Sequence, residues 1–185
     1  MTLIDPSLIK TPAGYTLRPI NFGREDEVDL VVARSMQTIL DTIPEFEGDS
    51  VKARQKVKNF THEEMKAMYV KDHLTRSATH RFLGAVAATG DLVGHIIFFV
   101  RDTEATKMGY IFTLYVAPEH RNRGVARALA AEAVRWLKER GAMLVVAHTH
   151  ATNAIPIALA AGHGFQVGER VEQPWAQVKL EGQLM

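Results

Sequence analysis

The sequence predicts an α/β fold in which a central mixed sheet of six to seven strands carries helices on both faces. Segments with strand character alternate with amphipathic segments in the order β-α-α-β-β-β-α-β-α-β-β. The 185 residues are 46% hydrophobic and 23% charged, which suits one globular domain with a sizeable core. We assign residues 15–185 to this single domain. Residues 1–14, with two prolines and a glycine, form an N-terminal lead-in.

Composition argues against several functional classes. The net charge of +1 provides no global attraction to nucleic acid or to a membrane surface. No apolar run approaches the roughly 20 residues that span a bilayer, and residues 1–10 lack the pattern of a secretory signal. A chain without cysteine has no disulfide, no thiolate nucleophile and no thiolate metal site. We therefore expect a cytoplasmic protein, although the absence of cysteine is only compatible with that location.

The first half of the chain predicts one strand and two helices. Residues 15–20 have strand character, and Pro19 places this strand at a sheet edge or at a strand end. Residues 25–40 combine an acidic first turn with an apolar stripe of helical period, and this helix should stop before Pro44. A Thr-x-x-Glu capping box opens a second helix over residues 61–74.

The second half predicts six strands and two helices. A Thr-Gly-Asp turn separates the two strands of a first hairpin, and a Gln-Pro pair separates those of a final one. Between the hairpins lie a strand, a long helix, a further strand and a short helix. The strands are 82–88, 92–101, 109–116, 143–147, 165–171 and 175–180.

The junction between strand 109–116 and the following helix is the most informative stretch. Pro118 closes the strand, a basic loop follows, and at Gly124 the pattern becomes helical until Gly141. Free backbone N–H groups at a helix N-terminus attract anions, and a residue without Cβ lets a bulky anion approach. Positive charge is added by Arg121, Arg123 and Arg127. The pattern predicts a phosphate cradle, the alternative being an ordinary turn with a solvated basic loop.

These residues resemble a known signature. Arg121-x-x-Gly124-x-Ala126 is similar to the R/Q-x-x-G-x-G/A motif with which GCN5-related N-acetyltransferases (GNAT family) hold the pyrophosphate of acetyl-CoA. Asn153, followed eleven and twelve residues later by Gly and Phe, resembles the second motif of the family. The resemblance covers about residues 80–180 well and the first 80 in outline. It implies the GNAT fold, with a splayed sheet, and acetyl-CoA as co-substrate.

The resemblance also implies where acetyl-CoA binds. In the family, the strand before the cradle and the strand after its helix run parallel and splay apart, and the pantetheine arm pairs in the gap. The oxyanion is stabilised by a backbone N–H near the position of residues 114–116. Asn153 stands where a contact with the cofactor arm is usual, and capping the next helix is an equally good use of Asn. The implied cofactor-binding residues are Leu114, Tyr115, Val116, Arg121, Asn122, Arg123, Gly124, Val125, Ala126, Arg127 and Asn153.

The usual proton-handling side chains of the family are missing. Ala160 replaces a tyrosine that often acts as general acid, and Tyr110 aligns with the strand carboxylate that serves as base in histone-acetylating members. His148 and His150 share one face of a strand beside the splay, and histidine carries protons near neutral pH. The candidate catalytic residues are therefore Tyr110, His148 and His150. Core packing for the tyrosine, and a hydrogen-bonded strand position for each histidine, are the alternatives.

Other histidines receive no catalytic assignment. His95 is predicted to be structural, and His163 to lie in a loop or at a helix end. His148 and His150 lack an evident third ligand, so we predict no metal site. No G-K-[ST] follows the cradle, which argues against a nucleoside triphosphate site.

The resemblance implies an N-acetyltransferase in which a primary amine attacks acetyl-CoA directly in a ternary complex. The acceptor is a small amine, a protein N-terminus or a lysine, and the sequence does not choose among them. Acidic residues at 45, 47 and 49 favour a cationic amine, unless they belong to a solvated loop that balances its basic neighbour. The alternative function is a catalytically deficient acyl-CoA-binding module. Dimers are common in the family, so a homodimer is compatible with the resemblance.

Overall fold

The structure, a computed structural model, describes residues 9–46, 48–58, 60–162, 164–171 and 177–184. A seven-stranded sheet in the order β1-β2-β3-β4-β5-β7-β6 organises these residues. The strands are β1 (Tyr15–Pro19), β2 (His80–Ala87), β3 (Leu92–Asp102), β4 (Lys107–Val116), β5 (Leu144–His150), β6 (Gln166–Val171) and β7 (Gln177–Gln183). The helices are α1 (Glu25–Thr42), α2 (Ser50–Lys56), α3 (His62–Thr75), α4 (Val125–Glu139) and α5 (Ala154–Gly162), and single 3₁₀ turns occupy Pro44–Phe46 and Pro118–His120.

One pair of strands differs from all other neighbours in the sheet. β4 and β5 run parallel, whereas every other neighbouring pair is antiparallel. The parallel pair requires a crossover, which α4 supplies. This confirms the mixed α/β sheet that the sequence predicts.

The sheet is covered by a separate hydrophobic cluster on each face. One cluster joins α4, through Leu129 and Leu137, to β3 and β5. The other joins α1 and α3, through Val32 and Tyr69, to the opposite face of β2 and β3. α1 and α4 therefore bury the apolar stripes that their sequences show, and the two clusters hold these helices on opposite sides of the sheet.

Most of the predicted local signals are confirmed. β1 is an edge strand that pairs only with β2, α1 ends just before Pro44, and Thr61 forms the predicted capping box with Glu64. Gly141 adopts a left-handed conformation (φ 79°), and the N–H of the next residue bonds to the carbonyl of Leu137 at 3.0 Å. This arrangement is a Schellman motif that ends α4.

Two features of the fold differ from or extend the prediction. The additional helix α2 is only seven residues long, too short for a periodic pattern to reveal it. It is capped by Asp49, whose carboxylate accepts from the N–H of Val51 at 2.7 Å. In addition, β7 lies between β5 and β6, so the final strand returns to the interior of the sheet. The predicted Gln-Pro turn and most of the lead-in fall outside the described residues.

Within the described part of the chain, we find no helix whose length and apolar character would let it cross a lipid bilayer.

Candidate functional site

The principal opening in the sheet lies between β4 and β5. The two strands pair only from Met108 to Ile111 on β4 and from Leu144 to Ala147 on β5. β4 nevertheless continues along β3 to Val116, and β5 continues along β7. Beyond the paired segment, the two strands therefore separate, as the family resemblance implies. The backbone groups that face this gap have no partner strand among the described residues.

A β-bulge lies where the gap begins. The pairing of β3 with β4 shifts between Ile97 and Phe98, so that Phe112 is an extra residue on β4. Its side chain is half exposed. Such a bulge bends and twists its strand, which turns the last residues of β4 away from β5.

Backbone alternation shows which groups of β4 face the gap. The N–H of Ala117 donates to the carbonyl of Val93 on β3 at 2.8 Å. In an antiparallel ladder, residues that bond to the neighbouring strand alternate with residues whose N–H and C=O point to the other side. Leu114 and Val116 therefore direct their backbone groups toward the gap. These are the positions at which the resemblance places the oxyanion-stabilising N–H.

The N-terminus of α4 lies directly after this strand end. Gly124 occupies the N-cap position in a left-handed conformation (φ 81°), and no side chain of the described residues caps the helix. Asn122 is also left-handed (φ 58°), and no acidic residue occupies the first turn of α4. Within the described part of the chain, the first N–H groups of α4 therefore have no side-chain cap, which makes this helix end suitable for an anion.

Three arginines flank this helix end. Arg121 donates from Nε to the carbonyl of Val116 at 2.9 Å and so ties the basic loop to the end of β4. Arg123 and Arg127 are exposed. Of these three guanidinium groups, only that of Arg121 has a described contact with the strand. The positive charge at this end of α4 therefore remains accessible to a ligand.

Asn153 directly precedes α5 at the open end of β5. Its amide nitrogen donates to the hydroxyl of Thr149 at 3.0 Å, and its backbone N–H donates to the carbonyl of His150 at 3.0 Å. Both contacts fold the turn after β5 back onto that strand. Asn153 therefore lies at the end of β5 that borders the gap.

The three candidate catalytic residues lie in different environments. The hydroxyl of Tyr110 contacts the sulfur of Met108 at 3.7 Å, and its ring stacks on Phe99 at 5.0 Å. These contacts hold the hydroxyl toward the paired end of β4, away from the gap. His148 is exposed. Its ring still loses some hydration, and this partial desolvation, together with the positive charge of nearby Lys179, lowers its pKa. A lowered pKa keeps this imidazole neutral near pH 7 and able to accept a proton.

His150 is buried and bonded through both ring nitrogens. Its side chain is 4% exposed, and its Nε2 lies 3.1 Å from the carboxylate of Glu45, a residue 105 positions away. Its Nδ1 accepts from the backbone N–H of Thr152 at 3.2 Å. The sequence singles out both His150 and the acidic loop, but no local pattern indicates that they meet.

The remaining sequence candidates have mainly structural environments. His95 is fully buried, its Nε2 lies 3.1 Å from the hydroxyl of Ser35, and burial together with nearby Arg34 lowers its pKa to about 3. Ala160 packs against the core. Position 47 of the acidic loop and His163 lie outside the described residues. No group of three or more potential ligands, counting His, Cys, Asp and Glu within the described ranges, is arranged for a metal ion.

Comparisons with known proteins identify the family. A family model described as "Acetyltransferase (GNAT) family" matches residues 45–165. A segment of 73 residues is 33% identical to aminoglycoside N(6')-acetyltransferase type 1 of Acinetobacter haemolyticus. This segment is 40% of the present chain and spans only half the length of that relative.

Solved structures show the same fold. PaiA N-acetyltransferase from Thermoplasma acidophilum, in complex with coenzyme A, superposes with a TM-score of 0.71 at 16% identity and covers 92% of this chain and 99% of its own. Spermidine N-acetyltransferase from Vibrio cholerae, in complex with CoA and spermine, gives a TM-score of 0.68 at 14% identity, with 92% and 96% covered. The family model spans well over half of the chain, and the fold as a whole agrees with these structures. The chain is therefore a member of the GNAT acetyltransferase family.

Proposed function

We propose that this protein is an acetyl-CoA-dependent N-acetyltransferase that transfers an acetyl group to a primary amine by direct attack in a ternary complex. One observation carries the proposal: the gap between β4 and β5 adjoins the uncapped N-terminus of α4. A ligand with an anionic group at one end and an extended arm at the other fits these two features together, and acetyl-CoA has this form.

The pyrophosphate of acetyl-CoA binds at the N-terminus of α4. The donors are the backbone N–H groups from Asn122 to Arg127, and the positive charge comes from the three arginines of the loop and helix. The pantetheine arm pairs with the backbone of Leu114 and Val116 on one side of the gap. Asn153 faces it from the other side. These assignments use every cofactor-binding residue that the resemblance implies except Tyr115, whose backbone groups face β3.

Transfer requires attack of a neutral amine on the thioester carbonyl. The new N–C bond forms as the carbonyl oxygen becomes an oxyanion, which the backbone N–H of Leu114 or Val116 stabilises. The C–S bond then breaks, and the proton lost by the amine ends on the sulfur of CoA. His148, exposed on the same strand face as His150, is placed to relay this proton through water. Direct attack needs no covalent enzyme intermediate.

Named relatives support an amine acceptor. One is named for acetylating an aminoglycoside and another for acetylating spermidine. In the present chain, α4 and its N-terminus occupy one face of the sheet, and α1 and the loop after it lie on the other. The acceptor therefore enters from the α1 face and meets the thioester in the gap.

Calorimetric titration with acetyl-CoA, with ATP as a control anion, tests the binding step. We expect micromolar affinity for acetyl-CoA and much weaker binding of ATP. If acetyl-CoA does not bind, the assignment of the cradle is wrong. Turnover is then followed as release of the CoA thiol with a thiol-reactive dye, since a protein without cysteine gives no background. Tight binding without turnover of any amine would favour an acyl-CoA-binding module instead.

A further inference from the structure

The contacts of His150 determine which nitrogen carries its proton. Nδ1 accepts from the N–H of Thr152 at 3.2 Å, and the hydroxyl of Thr152 lies 2.8 Å from the same nitrogen. A nitrogen that accepts from a backbone N–H cannot itself carry hydrogen. In the neutral ring, the proton is therefore on Nε2, and it is donated to the carboxylate of Glu45. This arrangement satisfies both nitrogens of a buried ring.

Glu45 is held firmly at the opposite end of this contact. It occupies a single 3₁₀ turn between Ile43 and Phe46, whose side chains are 5% and 1% exposed. The N–H of Phe46 donates to the carbonyl of Ile43 at 3.0 Å and closes the turn. The carboxylate of Glu45, in contrast, is 44% exposed. A turn anchored by two buried neighbours and a buried histidine thus orient a carboxylate that solvent reaches.

This pair lies beside the gap on the side where the acceptor enters. His150 is the last residue of β5, three positions beyond Ala147, where pairing with β4 ends. Val145 and Ala147 pack toward α4, so alternation places His150 on the opposite face. The 3₁₀ turn that carries Glu45 follows α1, which covers that face.

We propose that Glu45 is a specificity-determining residue that binds a positive charge of the acceptor, and that His150 is a positioning residue that orients the carboxylate of Glu45. The substrate class is a diamine or polyamine, in which one amine reacts and a second, charged one binds Glu45. This proposal rests on the proposed acetyl transfer and deepens it. A carboxylate held by a buried donor has its geometry set before the substrate arrives, which favours a charge-assisted hydrogen bond to an ammonium group.

The first test compares two acceptors of equal length, 1,4-diaminobutane and 4-amino-1-butanol, which differ in the second positive charge. For the wild type, we expect kcat/KM to be at least tenfold higher with the diamine. Glu45→Gln keeps an oxygen that accepts from His150 but removes the charge, so it should lower kcat/KM for the diamine about 10- to 100-fold. The loss should appear mainly in KM, and it should be much smaller for the amino alcohol, which has no second charge. Asp41→Asn is the matched control, since it removes an exposed acid at the end of α1.

The second test separates positioning from proton transfer at His150. Glutamine can donate an N–H to Glu45 but cannot titrate near neutral pH, whereas leucine can do neither. A positioning role predicts that His150→Gln keeps most of the preference for the diamine and that His150→Leu loses it. If both variants instead lose kcat equally for both acceptors, His150 transfers a proton and the proposal is wrong.

Three further outcomes overturn the inference. In the first, the wild type turns over the amino alcohol as well as the diamine. In the second, it acetylates amines but no diamine. In the third, Glu45→Gln keeps the preference for the diamine. Calorimetric titration of the wild type and of each variant with acetyl-CoA distinguishes these results from failure of the proposed function. A wild type that does not bind acetyl-CoA would refute the proposed acetyl transfer itself.

Discussion

Substitution of Gly124 tests the anion-binding role of the N-terminus of α4 most directly. Gly124 has a φ of 81°, and an added Cβ would lie 3.3 Å from Cγ of Pro12. A residue with Cβ in this left-handed conformation costs about 1–2 kcal/mol, and the contact with the lead-in requires only a shift of a few tenths of an ångström. Gly124→Glu should therefore lower the free energy of unfolding by about 1–2 kcal/mol and leave the protein folded.

The effect on binding should be larger than the effect on folding. In the proposed complex, the introduced carboxylate would lie where the pyrophosphate binds. Two unit charges about 5 Å apart, at an effective dielectric constant of about 20, repel by about 3 kcal/mol. The dissociation constant of acetyl-CoA should rise at least about 100-fold. Titration calorimetry measures this change, and thermal unfolding confirms that the variant is folded at the temperature used.

Gly124→Asn is the control for backbone strain, because asparagine tolerates left-handed conformations and adds no charge. We expect it to bind acetyl-CoA more tightly than the glutamate variant. A folded Gly124→Glu protein whose dissociation constant stays within threefold of the wild type would refute the reasoning.

Three other perturbations follow from the structure. The pKa of His95 is about 3 in the folded protein and about 6.5 in the unfolded protein, so between these pH values only the unfolded state binds a proton at this residue. In the wild type, this proton lowers the free energy of unfolding by about 1.4 kcal/mol for each pH unit below 6.5. His95→Asn should remove this contribution, which urea unfolding at several pH values measures. Gly94→Ala places a Cβ 2.8 Å from the carbonyl oxygen of Tyr115, so overpacking at the end of β4 should lower both stability, by about 1–3 kcal/mol, and affinity for acetyl-CoA. Arg18→Met leaves Glu27, whose side chain is 4% exposed, without its ion-pair partner and should cost about 1–3 kcal/mol in urea unfolding.

Each of these three perturbations has a control variant or a contrary result. If the wild type and His95→Asn show the same dependence of stability on pH from 6.5 to 5, His95 is not the titrating group. Gly162→Ala adds a Cβ that meets no atom within 4 Å, so it should neither destabilise the protein nor change its affinity for acetyl-CoA. Arg24 pairs with Asp26, and both side chains are well exposed, so Arg24→Met should have no measurable effect. Equal losses for the two arginine variants would contradict the argument from burial.

The candidate site divides into a part that local sequence predicts and a part that it does not. The cradle is local: Pro118 ends a strand, Gly124 begins a helix, and the basic loop lies between them, so one stretch of about 20 residues carries the complete signal. The bulge at Phe112 is not local. At the point where the register between β3 and β4 shifts, β4 contains one residue more than β3. Neither strand's sequence reveals this difference without the other.

The sequence by itself determined the periodicity of α1 and α4, the capping box of α3, the Schellman end of α4 and the strand–loop–helix signature of the family. Each depends on residues within a few positions of one another, whose side chains and φ angles act directly on the local backbone. Only the tertiary structure decided that Glu45 meets His150 and that the ring of His95 is fully buried. Those contacts join residues at least 60 positions apart, and they form only when the helices pack on the sheet, because packing rather than local conformation sets which distant side chains share a buried space.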